Sequence, residues 1–93
     1  MGCFVLIFAT RKQGPAHAAA LHDFHECVRG EFSNCWNNLE GTSIVIANAT
    51  ADGIRDRLNG CLKDGAILVA RICEDVAWTG LTSEDTEWLV NRL

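Results

Sequence analysis

The densest run of side chains able to do chemistry is His22, Asp23, His25, Glu26 and Cys27. On a helix, His22 lies one turn from both His25 and Glu26, so the three could converge on a metal ion. The His-x-x-His spacing lacks the i,i+4 geometry and the following ligands of a zinc protease. His22, Glu26 and Arg29 also lie opposite the apolar stripe of the same segment, so the run reads as a helix face in water. His17 falls on that stripe and reads as a partly buried, hydrogen-bonded residue. Ser33, Ser43 and Ser83 stand outside any Gly-x-Ser-x-Gly elbow. A Cys27–His17 pair would point into a core, and no glycine-rich phosphate loop exists. Trp36, Trp78 and Trp88 could stack on nucleobases, but little positive charge surrounds them and they read as core or interface anchors. The sequence therefore assigns no catalytic residue, no metal ligand and no cofactor.

Composition narrows the classes further. A chain of 93 residues fits one domain. Hydrophobic residues at 48% and charged residues at 22% describe a globular chain with one core. Twelve acidic against eight basic residues give a net charge of -4. An acidic surface repels the phosphate backbone. The basic residues, Arg11, Lys12, Arg29, Arg55, Arg57, Lys63, Arg71 and Arg92, are scattered, so nucleic acid is disfavoured as a partner. The five cysteines include no Cys-x-x-Cys, which removes zinc ribbons and thioredoxin-like motifs. Most fall within or beside apolar runs, where a reduced thiol acts as a small hydrophobe. A reducing, cytoplasmic setting is expected. The apolar start has no basic leader or small-residue cleavage site and does not read as a signal peptide. No segment approaches the ~20 apolar residues of a membrane helix. Leu6 stands where an N-myristoylation motif needs Ser or Thr.

The elements that would position these residues follow from periodicity. Cys3 to Thr10 is a strand rich in Phe, Val and Ile, and Gly14-Pro15 punctuates the loop after it. A helix runs from about Ala16 to Arg29 on the stripe His17, Ala20, Leu21, Phe24, Cys27 and Val28, and Gly30 stops it. Trp36 to Leu39 and Thr42 to Ala47 form a hairpin around Glu40-Gly41. Thr50 caps a second helix with Ala51, Ile54, Leu58, Cys61 and Leu62 on one face. Lys63-Asp64-Gly65 turns into a fourth strand, Ala66 to Cys73. Thr82 with Asp85 resembles a capping box opening a short last helix that carries Trp88, Leu89 and Leu93. The order strand, helix, strand, strand, helix, strand predicts an α+β, ferredoxin-like βαββαβ domain over residues 1–93. Its antiparallel sheet has the order 4-1-3-2, with both main helices on one side.

Three stretches, Cys3 to Ala9, Ile44 to Ala47 and Ala66 to Ala70, are apolar throughout, so the sheet would be greasy on both faces. Taking the one charged position of the fourth strand as outward places Ile67, Val69 and Arg71 on the face away from the helices. Ser43, Val45 and Ala47 form the expected outward set of the third strand, with Ile44 and Ile46 toward the helices. In the first strand the bulky Phe4, Leu6 and Phe8 suit the core and leave Val5, Ile7 and Ala9 outward. Such a patch exceeds what monomers commonly expose, and a second, identical subunit is the expected cover. The competing arrangement folds the C-terminal tail back so that Trp78 or Trp88 covers it.

Trp36, Leu39-Glu40, Thr42, Ile54-Arg55-Asp56-Arg57-Leu58, Ala77-Trp78, Gly80-Leu81 and Trp88-Leu89 together resemble the SinR-like family of small proteins. That family is related in fold to the CRISPR-associated protein two family of nuclease-like subunits. The resemblance covers residues 34 to 93 and implies a ferredoxin-like protomer that dimerises through its sheet. In the nuclease-like relatives the first strand ends in an aspartate proposed to hold a divalent metal at the dimer axis. Here Ala9 occupies that place and can neither ligate a hard cation nor accept a proton. Glu74-Asp75 would sit at the wrong end of the sheet, beside Cys3. Glu40 and Asp64 lie nearer Ala9 and, with Arg11 and Lys12, form a mixed-charge rim that reads as solvated turn residues. The expectation is a cytoplasmic, homodimeric, non-catalytic protein-interaction or regulatory module that also takes another protein as partner. The alternative is a magnesium-dependent ribonuclease or deoxyribonuclease with its carboxylates moved to Glu40 and Asp64.

Overall fold

Strand and helix periods divide the chain cleanly. The computed structural model describes residues 1–62, 65–73 and 75–92, so what was expected of Lys63, Asp64, Glu74 and Leu93 lies outside the described residues. The elements are β1 (Gly2–Ala9), α1 (Pro15–Glu31), β2 (Cys35–Leu39), β3 (Thr42–Ala47), α2 (Ala51–Asn59), β4 (Ala66–Arg71) and α3 (Ser83–Arg92). α1 opens on Pro15, whose fixed φ and missing N–H suit the first helical position. α2 opens on Thr50, whose Oγ1 accepts the Gly53 N–H at 3.1 Å. β4 ends two residues earlier than expected, at Arg71. No helix among the described residues is long and apolar enough to cross a membrane.

The strands form one antiparallel sheet in the order β2-β3-β1-β4, which is the expected order read from the other edge. On its inner face, Phe4, Leu6 and Phe8 of β1 pack with Leu21, Phe24, Cys27 and Val28 of α1 and with Ile54 and Leu58 of α2. Phe8 stacks on Phe24 with ring centroids 5.0 Å apart. Burying side chains of this size contributes about 1.5–3 kcal/mol each. Gly41, at φ 72°, lets the hairpin turn close on β1; a Cβ there would stand 3.0 Å from the Phe8 carbonyl oxygen.

Register corrects half of the expected facing. Residues directly opposite across antiparallel strands share a face. Phe4 stands opposite Val45 and Arg71, Leu6 opposite Ser43 and Val69, and Phe8 opposite Ile67. Ser43, Val45, Ala47, Ile67, Val69 and Arg71 therefore lie on the helix side, and Ile44 and Ile46 point the other way. Two polar side chains misled the assignment. Ser43 is fully buried but hydrogen-bonded within the core. Arg71 lays its guanidinium 4.7 Å from the Phe4 ring centroid and reaches the Ala49 carbonyl at 3.4 Å, keeping its charged end at the margin. The expected outward set of β1, Val5, Ile7 and Ala9, faces outward.

The cysteines also depart from expectation. Cys27 of α1 and Cys61, just beyond α2, are joined in a disulfide with Cα atoms 6.1 Å apart, inside the range such bonds span. Cys3, Cys35 and Cys73 are free.

Candidate functional site on the outer face of the sheet

The outer face is roofed over one end by the chain's own C-terminal segment. Leu89 of α3 is buried on Trp36 and Ile44, and Trp78, Leu81 and Trp88 pack around them with Cys3 and Ile72. Polar bonds pin this roof. Thr82 Oγ1 accepts the Asp85 N–H at 3.1 Å, as the expected cap requires. The Asp85 carboxylate turns toward the sheet, where it accepts from Asn38 Nδ2 and from Trp36 Nε1 at 3.0 Å. The hydrogen bond from Asn38, then that from Trp36, hold its carboxyl below the usual carboxylate range despite its burial. Trp78 Nε1 donates to Thr86 Oγ1 at 3.2 Å. Arg92 closes the far end, with Nε donating to Asn34 Oδ1 at 3.0 Å and its guanidinium 4.4 Å from the Trp88 ring centroid.

Cross-strand rows show where the roof stops. Trp36, Ile44, Val5 and Ala70 form one row across all four strands. Trp36 and Ile44 are buried there, and Val5 and Ala70 are half-buried. The next row is Leu39, Thr42, Ile7 and Leu68. In it Leu39 is 45%, Ile7 46% and Leu68 55% exposed. Beyond it Ala9 and Ala66 face each other and are exposed. A groove of about 390 Å³ runs between the bare row and the roof, with Val5, Leu39, Thr42, Trp78 and Leu81 among its walls. The tail thus covers one end of the expected patch and leaves the other open. Of the expected contact residues, Val5, Ile7 and Ala9 belong to this face. Val45, Ala47, Ile67, Val69 and Arg71 do not. Leu39 and Leu68, which reasoning from the sequence missed, belong to it. One fact legible in the sequence points to Leu68, its place in an unbroken apolar run; its parity, opposite to Arg71, tells for the outer face only once the register puts Arg71 on the helix side.

The expected polar rim is divided. Arg11 and Lys12 line a depression of about 530 Å³ with Ala9, Thr10, Gly65 and Ala66. Glu40 lines another, of about 240 Å³, with His17 and Gly41. Asp64 lies outside the described residues. The helix run does not converge either. Glu26 pairs with Arg29 at 2.7 Å, and His25 turns to the hairpin. Among the described residues no group of three His, Cys, Asp or Glu side chains is placed to hold a metal. His17 Nδ1 donates to the Lys12 carbonyl at 3.2 Å, so it is bonded as expected.

One constellation was not foreseen: Ser43, His25 and Asn37 meet beneath the hairpin. It has the membership of a nucleophile triad with the protons in the wrong places. The Gly41 N–H points at His25 Nε2 at 3.3 Å, which assigns the ring lone pair to Nε2 and its proton to Nδ1. Nδ1 then donates to Asn37 Oδ1 at 2.7 Å, and Ser43 Oγ donates to the same oxygen. The ring nitrogen 3.3 Å from Ser43 Oγ therefore carries a proton and cannot take the hydroxyl's. Ser43 is also fully buried, so no substrate reaches it. The cluster ties α1 to the hairpin. The thiols are no better poised: burial raises the pKa of Cys3 and of Cys35, the opposite of nucleophile activation.

Comparison of the chain with protein-family models, curated proteins and solved structures gave no match.

Proposed function

We propose that the chain is a ferredoxin-like, non-catalytic interaction module of the cytoplasm that works as a homodimer and, in that state, engages a further protein. The observation that carries this is the bare row Leu39, Thr42, Ile7 and Leu68 beside a roof that stops short of it. Three large aliphatic side chains in one row, on β2, β1 and β4, are costly to leave in water, at about 25 cal/mol per Å². The row carries no formal charge, so two copies meeting about a two-fold axis bring no like charges together. The resemblance to the SinR-like family, with its sheet-mediated dimers, points the same way. The free Cys3, Cys35 and Cys73 favour a reducing compartment, and the Cys27–Cys61 bond counts against it.

The face contact is tested by solution mass from light scattering. The wild-type chain should run at an even multiple of 10.2 kDa, and Ile7→Lys should halve that mass without unfolding the protomer. An unchanged mass, or a wild type that stays monomeric at high concentration, would remove the proposal. Purified protein should also leave single- and double-stranded RNA and DNA intact with magnesium or manganese. Cleavage that disappears in Glu40→Ala or Asp64→Ala would establish the nuclease alternative instead.

A further inference from the structure

The sheet ends at β4, and the outer edge of that strand is open. Its hydrogen-bonding direction follows from two bonds on opposite sides of β1. The Ile72 N–H donates to the Cys3 carbonyl at 2.8 Å, and the Phe8 N–H donates to the Gly41 carbonyl at 2.8 Å. Backbone groups alternate sides along an antiparallel strand. Cys3, Val5, Ile7 and Ala9 therefore turn theirs toward β4, where Ala66, Leu68, Ala70 and Ile72 answer. Ile67, Val69 and Arg71 turn theirs away from β1. Among the described residues no backbone group meets them there.

Natural edge strands are usually guarded by proline, lysine, a bulge or an inward charge. The sequence of β4, Ala-Ile-Leu-Val-Ala-Arg, has no proline or lysine, and its register with β1 runs without a shift. Its one charge, Arg71, is an inward one, but it stands at the last residue of the strand, folded back over Phe4, and leaves Ala66 to Ala70 without a charge. Beside this unguarded edge stands Leu68, the most exposed member of the bare row at 55%.

We propose that β4 pairs antiparallel with β4 of a second copy, about a two-fold axis at Leu68. The contact is distinct from the face contact proposed above. For the joined sheet to keep one inner and one outer face, opposed residues must share parity, so the axis passes through a residue. At Leu68 it sets the two Leu68 side chains against each other on the outer face and Ala66 against Ala70. Ile67 and Val69 of each copy exchange N–H···O=C bonds, which uses their outward backbone groups. Arg71 then stands opposite Gly65, which has no side chain to obstruct it. The edge axis is normal to the sheet; a face axis parallel to the sheet and running along the row Leu39, Thr42, Ile7 and Leu68 crosses it over Leu68, and with that crossing the two contacts close an assembly of four chains.

Engineered cysteines test both contact and register. In a Cys73→Ser background, Leu68→Cys alone should oxidise to a linked pair, because non-hydrogen-bonded antiparallel partners lie about 4.5 Å apart at Cα. Ala66→Cys and Ala70→Cys should each stay single and link when mixed. Ile7→Lys should leave a dimer of about twice the 10.2 kDa chain. A monomeric Ile7→Lys, or a Leu68→Cys chain that does not link, would overturn the edge contact and leave the face contact standing. A Leu68→Cys chain that links only to Ala70→Cys would overturn the register. An Ile7→Lys mass equal to wild type would remove the face contact and leave the edge.

Discussion

The two faces of this sheet are sealed by different means. On the inner face, α1 and α2 bury an unbroken cluster of aromatic and aliphatic side chains. A disulfide ties the first helix to the end of the second. On the outer face, one short helix and the segment before it bury a smaller cluster, held by polar bonds at Asp85, Thr86 and Arg92. Apolar strands alone do not decide how a face is covered. Enough chain, correctly patterned, makes a sealed layer; a short remnant makes a pinned roof and leaves a margin.

That contrast can be broken from either side. The largest loss is expected at the inner layer, where Phe24→Ala removes a fully buried ring stacked on Phe8. It should cost about 3–5 kcal/mol in urea unfolding, with loss of the whole cooperative transition. Reducing the Cys27–Cys61 bond frees a chain separation of 34 residues and should cost about 2–4 kcal/mol, read as a lower midpoint with reductant. Leu89→Ala strikes the roof. It should cost about 2–3 kcal/mol, and amide exchange should quicken in α3 and the segment before it while β1 and α1 stay protected. Acid should act on the roof as well. The folded pKa of Asp85 is depressed, so its stabilisation is present above the unfolded value of about 3.9 and is lost as pH falls through the lower folded value. Asp85→Asn should flatten that acid limb. The smallest effect is Ser43→Ala, which removes one buried donor from the His25–Asn37 cluster and should cost about 1 kcal/mol.

Element order was legible because each segment carries its own period and punctuation. Gly14-Pro15, Thr50 and the Glu40-Gly41 turn mark boundaries by local chemistry, and the structure places boundaries there within a residue or two. Facing was not legible for β3 and β4, because the polar residues Ser43 and Arg71 do not mark the solvent side. Ser43 donates to Asn37 across the hairpin, in a cluster completed by His25 18 residues away, and Arg71 is held by Phe4 in the first strand and by Ala49, 22 residues back. Such partners are invisible to a local pattern. The bare row was half legible. Ile7 followed from the bulk of its neighbours Leu6 and Phe8, whereas Leu39 and Leu68 needed the register. Asp85 showed itself as a cap; its turn toward Trp36 joins residues 49 apart in the chain and carries no local signal.

All three tryptophans of the chain, Trp36, Trp78 and Trp88, belong to the outer cluster, and there is no tyrosine. The ultraviolet emission of this protein is thus a reporter of one layer only. A melt followed by fluorescence tracks departure of the C-terminal helix, and one followed by far-ultraviolet dichroism tracks the sheet and the two longer helices. The interval between the two midpoints measures, without any substitution, how far the lighter side of the molecule lets go before the heavier one.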